Sequence, residues 1–105
     1  MTGGFATASA VRRLDETTWC GEIQPDWDIG GKADGGYVLA VAARAAAEAA
    51  GRPDPVTITA HFLSPAAPGP VQIEARVLRR GRRFATVEAT LTASGVPVLA
   101  ALGSF

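Results

Sequence analysis

The sequence is poor in the residues that most chemistries need. Cys20 is the only cysteine and His61 the only histidine. One cysteine cannot close an internal disulfide, and one His with one Cys cannot supply the three or four ligands of a zinc site. The expectation is therefore no metal, no cofactor and a reducing, cytoplasmic setting. Charge of either sign is in short supply as well. Ten basic and ten acidic residues cancel in a chain of 105, so nothing favours nucleic acid or an anionic membrane as a partner. Long apolar runs are missing too. The longest candidate, from Tyr37 to Ala50, is broken by Arg44 and Glu48 and falls short of the roughly 20 residues of a membrane span. Met1 is followed by Thr, Gly, Gly and Phe, without a basic segment or an apolar one, so no signal peptide is expected. No phosphate-loop or dinucleotide fingerprint occurs, because Gly30-Gly31 and Gly35-Gly36 lack the strand-to-helix spacing.

What is abundant is alanine. The stretch GGKADGGYVLAVAARAAAEAAGRP, from Gly30 to Pro53, is rich in the best helix former and after Lys32 offers only Asp34, Arg44, Glu48 and Arg52 as charges. Asp34 is a favoured N-cap type and Gly51 a left-handed stop, with Pro53 preventing continuation. This predicts one helix from about Asp34 to Ala50. Phe5 to Arg13 and Thr17 to Gln24 read as short strands, with Asp15-Glu16 as the turn between them. Pro25 to Lys32 reads as irregular. After the helix the period becomes two. Val56, Ile58, Ala60 and Phe62 alternate with Thr57, Thr59, His61 and Leu63. Two further runs, Val71 to Leu78 and Phe84 to Leu91, also alternate, and Val96 to Phe105 reads as the last strand. Short turns between such strands predict an antiparallel meander with one apolar face.

The order ββαββββ, with an almost wholly apolar helix, has a simple solution: an α+β domain of residues 1–105 in which the sheet curls around the helix. Small alanines allow the strands to approach the helix closely. This is the hotdog arrangement; a cystatin-like α+β roll is its main rival.

The segments DGGYVLAVAARAA and TITAHFLSP, the hairpin VLRRGRRFATVEATL, the terminal PVLAALGSF and the upstream WCGEIQPDWDIGGKADGG resemble, as an ordered set, the N-terminal hotdog repeat of acyl-CoA thioesterases of the thioesterase II type, in its actinobacterial branch. The abundance of Ala, Gly and Arg fits a GC-rich bacterial genome. The resemblance implies a role in acyl-CoA or acyl-carrier thioester hydrolysis. It also implies a partner, because family members carry two repeats that pair edge to edge, with the thioester site between them. A single repeat would pair with a separate hotdog domain or with a second copy as a homodimer. The family's acid, hydroxyl and amide belong to the second repeat. Their places here fall near Ala43 or Arg44, near Thr57 to Thr59, and near Gly103, so the acid and the amide are missing. The phenylacetyl-CoA type carries His-Gly-Gly at the helix start, where this chain has Asp34-Gly35-Gly36. The alternative that follows is a non-catalytic acyl-binding or structural module.

Within this frame Asp34 is the catalytic candidate. A helix start offers free N–H groups and a positive dipole end to a developing oxyanion. Gly35 and Gly36 leave room for a carbonyl to approach, and Asp34 can orient or deprotonate water. The same aspartate is also explained as a helix cap alone. Tyr37, Thr59 and His61 complete the expected substrate-binding set. Thr59 is equally what a strand prefers, and a lone His on an outer strand face is equally a solvated one. Arg79, Arg80, Arg82 and Arg83 form a basic hairpin tip that suits either phosphate contact or plain solvation.

Overall fold

The computed structural model describes residues 9–25, 28–29, 32–33 and 35–105. Its elements in chain order are β1 (Val11–Arg13), β2 (Thr18–Ile23), β3 (Asp28–Ile29), β4 (Lys32–Ala33), the helix α1 (Gly35–Ala50), β5 (Thr57–Phe62), β6 (Gly69–Arg80), β7 (Ala85–Ala93) and β8 (Val96–Ser104). Six strands form one antiparallel sheet in the order β1-β2-β6-β7-β8-β5, and β3 pairs with β4 separately. The expected strand from Phe5 lies partly outside the described residues. Within Pro25 to Lys32, expected to be irregular, Asp28–Ile29 pairs instead with Lys32–Ala33, while Asp26, Trp27, Gly30 and Gly31 lie outside the described residues.

The helix explains itself locally. Tyr37, Val38, Val41, Ala42, Ala45, Ala46 and Ala50 are buried, which is the 3.6-residue stripe of a helix laid on a sheet. Its contacts run mainly to β6 and β7, whose inward residues Val71, Ile73, Ala75, Val87, Ala89 and Leu91 are buried. Ala42 and Ala46 are at most 2% exposed, so the backbones meet across methyl groups. Ala42→Leu or Ala46→Leu should overpack this contact and cost roughly 1–3 kcal/mol. A urea-unfolding midpoint unchanged in both variants would contradict the close approach. The helix ends at Gly51, φ 70°, where the Arg52 N–H donates to the Ala47 carbonyl and the Gly51 N–H to that of Glu48, both at 3.1 Å. This is the glycine-dependent terminator the sequence announces.

The strands after the helix are not one continuous meander. β6, β7 and β8 are, but β5 pairs with β8, not with β6. The connection between β5 and β6, the six residues Leu63 to Pro68 with prolines at 65 and 68, is longer than the two- to five-residue loops that join hairpin neighbours. It carries the chain past the end of the sheet. β7 and β8, by contrast, meet through Ser94-Gly95, φ 52° and 77°, a turn with both central residues left-handed that suits the sheet's twist. Between β1 and β2 the Asp15 carboxylate accepts from the Thr17 N–H at 2.9 Å. That bond, with the Thr18 hydroxyl next, holds the Asp15 carboxyl below its usual range. The turn is thus favoured at neutral pH and loses this support as acid protonates Asp15.

Strand β6 carries a bulge between Val77 and Arg79. Strict alternation would aim Arg79 inward with Val77. The extra residue, Leu78, reverses the sides, so that Arg80 stands opposite buried Ala85. Its guanidinium donates to the Ala50 carbonyl at 2.6 Å and to the Ala49 carbonyl at 3.2 Å. These are acceptors that the helix cannot satisfy itself. Arg52 donates to the Phe105 and Gly81 carbonyls, tying the helix exit to β8 and to the β6–β7 turn.

Candidate functional site

The helix start and the open end of β5 come together. The Phe62 ring packs on Gly35, where an added Cβ would lie 3.2 Å from the ring's ζ carbon. Gly35, Val38, Phe62, Leu63, Ala66 and Val98 line a cavity of about 330 Å³ beside them. Its one hydroxyl, Ser64 Oγ, donates to the Pro97 carbonyl at 2.7 Å, so the lining is apolar. The early N–H groups of α1 have no partner within the helix. Gly36 is exposed. Asp34 lies outside the described residues.

The remaining expected residues go elsewhere. Tyr37 is turned into the core, 1% exposed. Its hydroxyl accepts from the Gln24 N–H at 2.9 Å and donates to the Glu22 carbonyl at 3.2 Å, which fastens the helix start to the end of β2. Thr59 and His61 are exposed on the outer face of β5, while Ile58 and Ala60 pack towards the core. The sheet therefore stands between these two residues and the helix start of the same chain. The basic tip lies at the far end of the helix, about 24 Å away over 16 residues, and Arg80 is committed there to the helix carbonyls.

The three places where the family resemblance puts its acid, hydroxyl and amide are also visible. Ala43 and Arg44 line a groove of about 470 Å³ on the helix side turned from the sheet, with Ala40, Ala47, Pro53 and Pro55. On β5 it is Ile58, not a threonine, that packs towards the core. A Cβ on Gly103 would meet the Phe105 ring at 2.9 Å and the Thr57 carbonyl at 3.2 Å, so that space is already filled.

Two features escaped the sequence reading. The fully buried Trp19 donates its indole N–H to Glu48 Oε1 at 3.1 Å, and the Arg13 guanidinium sits 4.8 Å from the centre of the Trp19 ring. The helix's one carboxylate thus anchors the core. The Phe62–Gly35 contact was equally hidden, although a glycine before an apolar helix is the kind of signal that marks a close approach. Among the described residues no group of three or more His, Cys, Asp or Glu side chains converges, and no helix is long and apolar enough to cross a membrane.

Comparison with known proteins agrees with this arrangement. A family model described as the acyl-CoA thioesterase N-terminal domain matches residues 23–105. The protein Rv0499 of Mycobacterium tuberculosis (strain H37Rv) is 35% identical over 108 residues, covering 90% of this chain and 37% of that protein. The thioesterase-like protein TwmA of Talaromyces wortmannii is 32% identical, covering 88% of this chain and 27% of its own length. Among solved structures, a candidate thioesterase II of Thermobifida fusca YX superposes with a TM-score of 0.92 at 36% identity, over 96% of this chain and 38% of that one. A hot dog fold protein of Alicyclobacillus acidocaldarius gives a TM-score of 0.80 at 25% identity, over all of this chain and 40% of that one. The chain thus spans well under half the length of these relatives. With a hotdog sheet and helix in place and the family model matched from Ile23 to the last residue, the chain belongs to the acyl-CoA thioesterase N-terminal domain family.

Proposed function

We propose that this chain is one half of an acyl-CoA thioesterase, and that it hydrolyses acyl-CoA or acyl-carrier thioesters when a second hotdog domain pairs with it. The observation that carries this reading is the position of the helix start. Gly35 and its apolar cavity abut Phe62 at the end of β5, and among the described residues β5 pairs only with β8 and forms an edge of the sheet. A site placed there is open on one side until a neighbour covers it. The apolar lining suits an acyl chain. The backbone N–H groups at the first turn of α1, which have no partner within the helix, stabilise the oxyanion as water adds to the thioester carbonyl. Asp34 takes the proton from that water and returns it to the sulfur as the tetrahedral intermediate collapses and the C–S bond breaks, so that the thiol and the carboxylic acid leave.

The edge itself supports pairing. β5 carries no formal charge over its length. It is flanked by Val56, 61% exposed, and ends in Phe62, which is followed by Leu63, each 55% exposed. The opposite edge, β1, is three residues long with two arginines, the short and charged form that discourages strand addition. The covering domain is a second copy or a separate hotdog repeat, in the cytoplasm where acyl-CoA is available.

A second reading is favoured by one observation. The amide position at Gly103 is occupied by the Phe105 ring, and no acid stands at Ala43 or Arg44. On this reading the chain binds the acyl group or supports a partner's site without catalysing. The purified chain assayed for thiol release over a panel of acyl-CoAs separates the two. Turnover supports hydrolysis by the chain's own helix start. Acyl-CoA binding by calorimetry without turnover supports the non-catalytic module.

A further inference from the structure

The cavity at the helix start has a rim, a floor and an end wall. Its rim is Phe62 and Leu63, both exposed, and its floor is Val38, Ala66 and Val98, all buried. A second cavity of about 300 Å³ lies beside it, between the proline-bearing connection and the β7–β8 turn, against Pro68, Pro70, Ala93 and Val96. Ser64, Pro65 and Val98 border both cavities. The partition is held in place. The Leu63 and Ser64 N–H groups donate to the Val98 carbonyl at 2.7 and 3.4 Å, and Ser64 Oγ donates to the Pro97 carbonyl at 2.7 Å. Of the three shared residues only Val98 puts a buried apolar side chain there. Its two methyl groups are therefore the end wall of the first cavity.

We propose that Val98 and Ala66 set the length of acyl chain that the helix-start site accepts, and that its substrates are short- and medium-chain thioesters. The inference rests on the acyl-binding part of the reading above, not on hydrolysis or pairing. The lining gives water few partners, because its one hydroxyl is already committed to Pro97, so the occupant is apolar. The volume limits that occupant. At roughly 30 Å³ per chain carbon, close to the share of one water, 330 Å³ holds at most about ten carbons. The direction follows from burial. The thioester end lies at Gly35 and the exposed rim, and the chain runs inward until it meets Ala66 and Val98. A strap bonded three times to β8 at that point does not yield readily, so the limit is a sharp one. The second cavity is the space a longer chain would need, and Val98 keeps it separate.

The test measures binding of S-alkyl-coenzyme A thioethers, from ethyl to tetradecyl, below their micellar concentrations. These ligands carry the chain but cannot be hydrolysed, so turnover plays no part. Calorimetry on the wild-type chain should show affinity rising about fourfold for each methylene buried, and then levelling by about the decyl compound. Val98→Ala removes the end wall and should carry the rise on to longer chains. Ala66→Leu fills the floor and should stop the rise earlier, with the affinity for the ethyl compound unchanged. Circular dichroism shows which variants are folded; if Val98→Ala is not, the wild-type profile and Ala66→Leu decide. A wild-type affinity that climbs without a limit to the tetradecyl compound would overturn the inference and leave the acyl-binding reading. So would folded variants whose profiles coincide with that of the wild type. Absence of binding by every thioether would overturn both. A length limit in a chain that releases no thiol from acyl-CoA would uphold the inference and reject hydrolysis by this chain.

Discussion

Trp19→Ala is expected to cost about 3–5 kcal/mol, a large part of the roughly 5–15 kcal/mol that holds a small domain together. Trp19 is fully buried, stands opposite Ile73 in the β2–β6 ladder, and has its indole N–H on Glu48 of the helix. Removal of the ring leaves a cavity between sheet and helix and strips the helix carboxylate of its donor. Urea unfolding followed by circular dichroism gives the value. A companion pair separates packing from hydrogen bonding. Glu48→Gln keeps an acceptor for the indole and should leave stability nearly unchanged. Glu48→Ala leaves the buried N–H unpaired and should cost about 1–3 kcal/mol. A loss under 1 kcal/mol for Trp19→Ala would mean that the helix is not anchored there.

Asp34→Asn is expected to lower kcat for acyl-CoA hydrolysis by about 10²–10⁴-fold, the range of a lost general base, with little change in stability. Asparagine caps a helix as well as aspartate does, so this variant removes the proton acceptor and keeps the cap. Asp34→Ala should show the same fall in kcat together with a loss of about 1 kcal/mol in stability. Steady-state kinetics at a temperature where all three proteins are folded makes the comparison. Full activity in Asp34→Asn would reduce Asp34 to a cap and move the search for the base elsewhere.

Those two experiments address parts of the molecule that differ in how well the sequence announces them. The helix was legible because alanine content, the glycine stop and the following proline all act locally. β6, β7 and β8 were legible because strict alternation and a Ser-Gly turn fix strand and hairpin together. The position of β5 at the far edge was not. It depends on a proline-rich connection whose path is a tertiary matter, and period-two patterning is indifferent to which neighbour a strand takes. The inward turn of Arg80 was hidden for a related reason. One bulged residue, Leu78, reverses the faces of everything after it, and no local signal marks the extra residue. Within the site, Gly35 and Gly36 were placed correctly at the helix start. Tyr37 looked like a contact residue because it follows them, but its exposure is set by helix phase, and that phase points it inward.

In the proposed pairing the thioester site is complete only when two hotdog domains meet at β5. The most direct test measures acyl-CoA hydrolysis and molecular mass on the same samples across a dilution series. Activity per chain is expected to fall in step with the paired fraction. Undiminished activity per chain in samples that light scattering shows to be monomeric would contradict it.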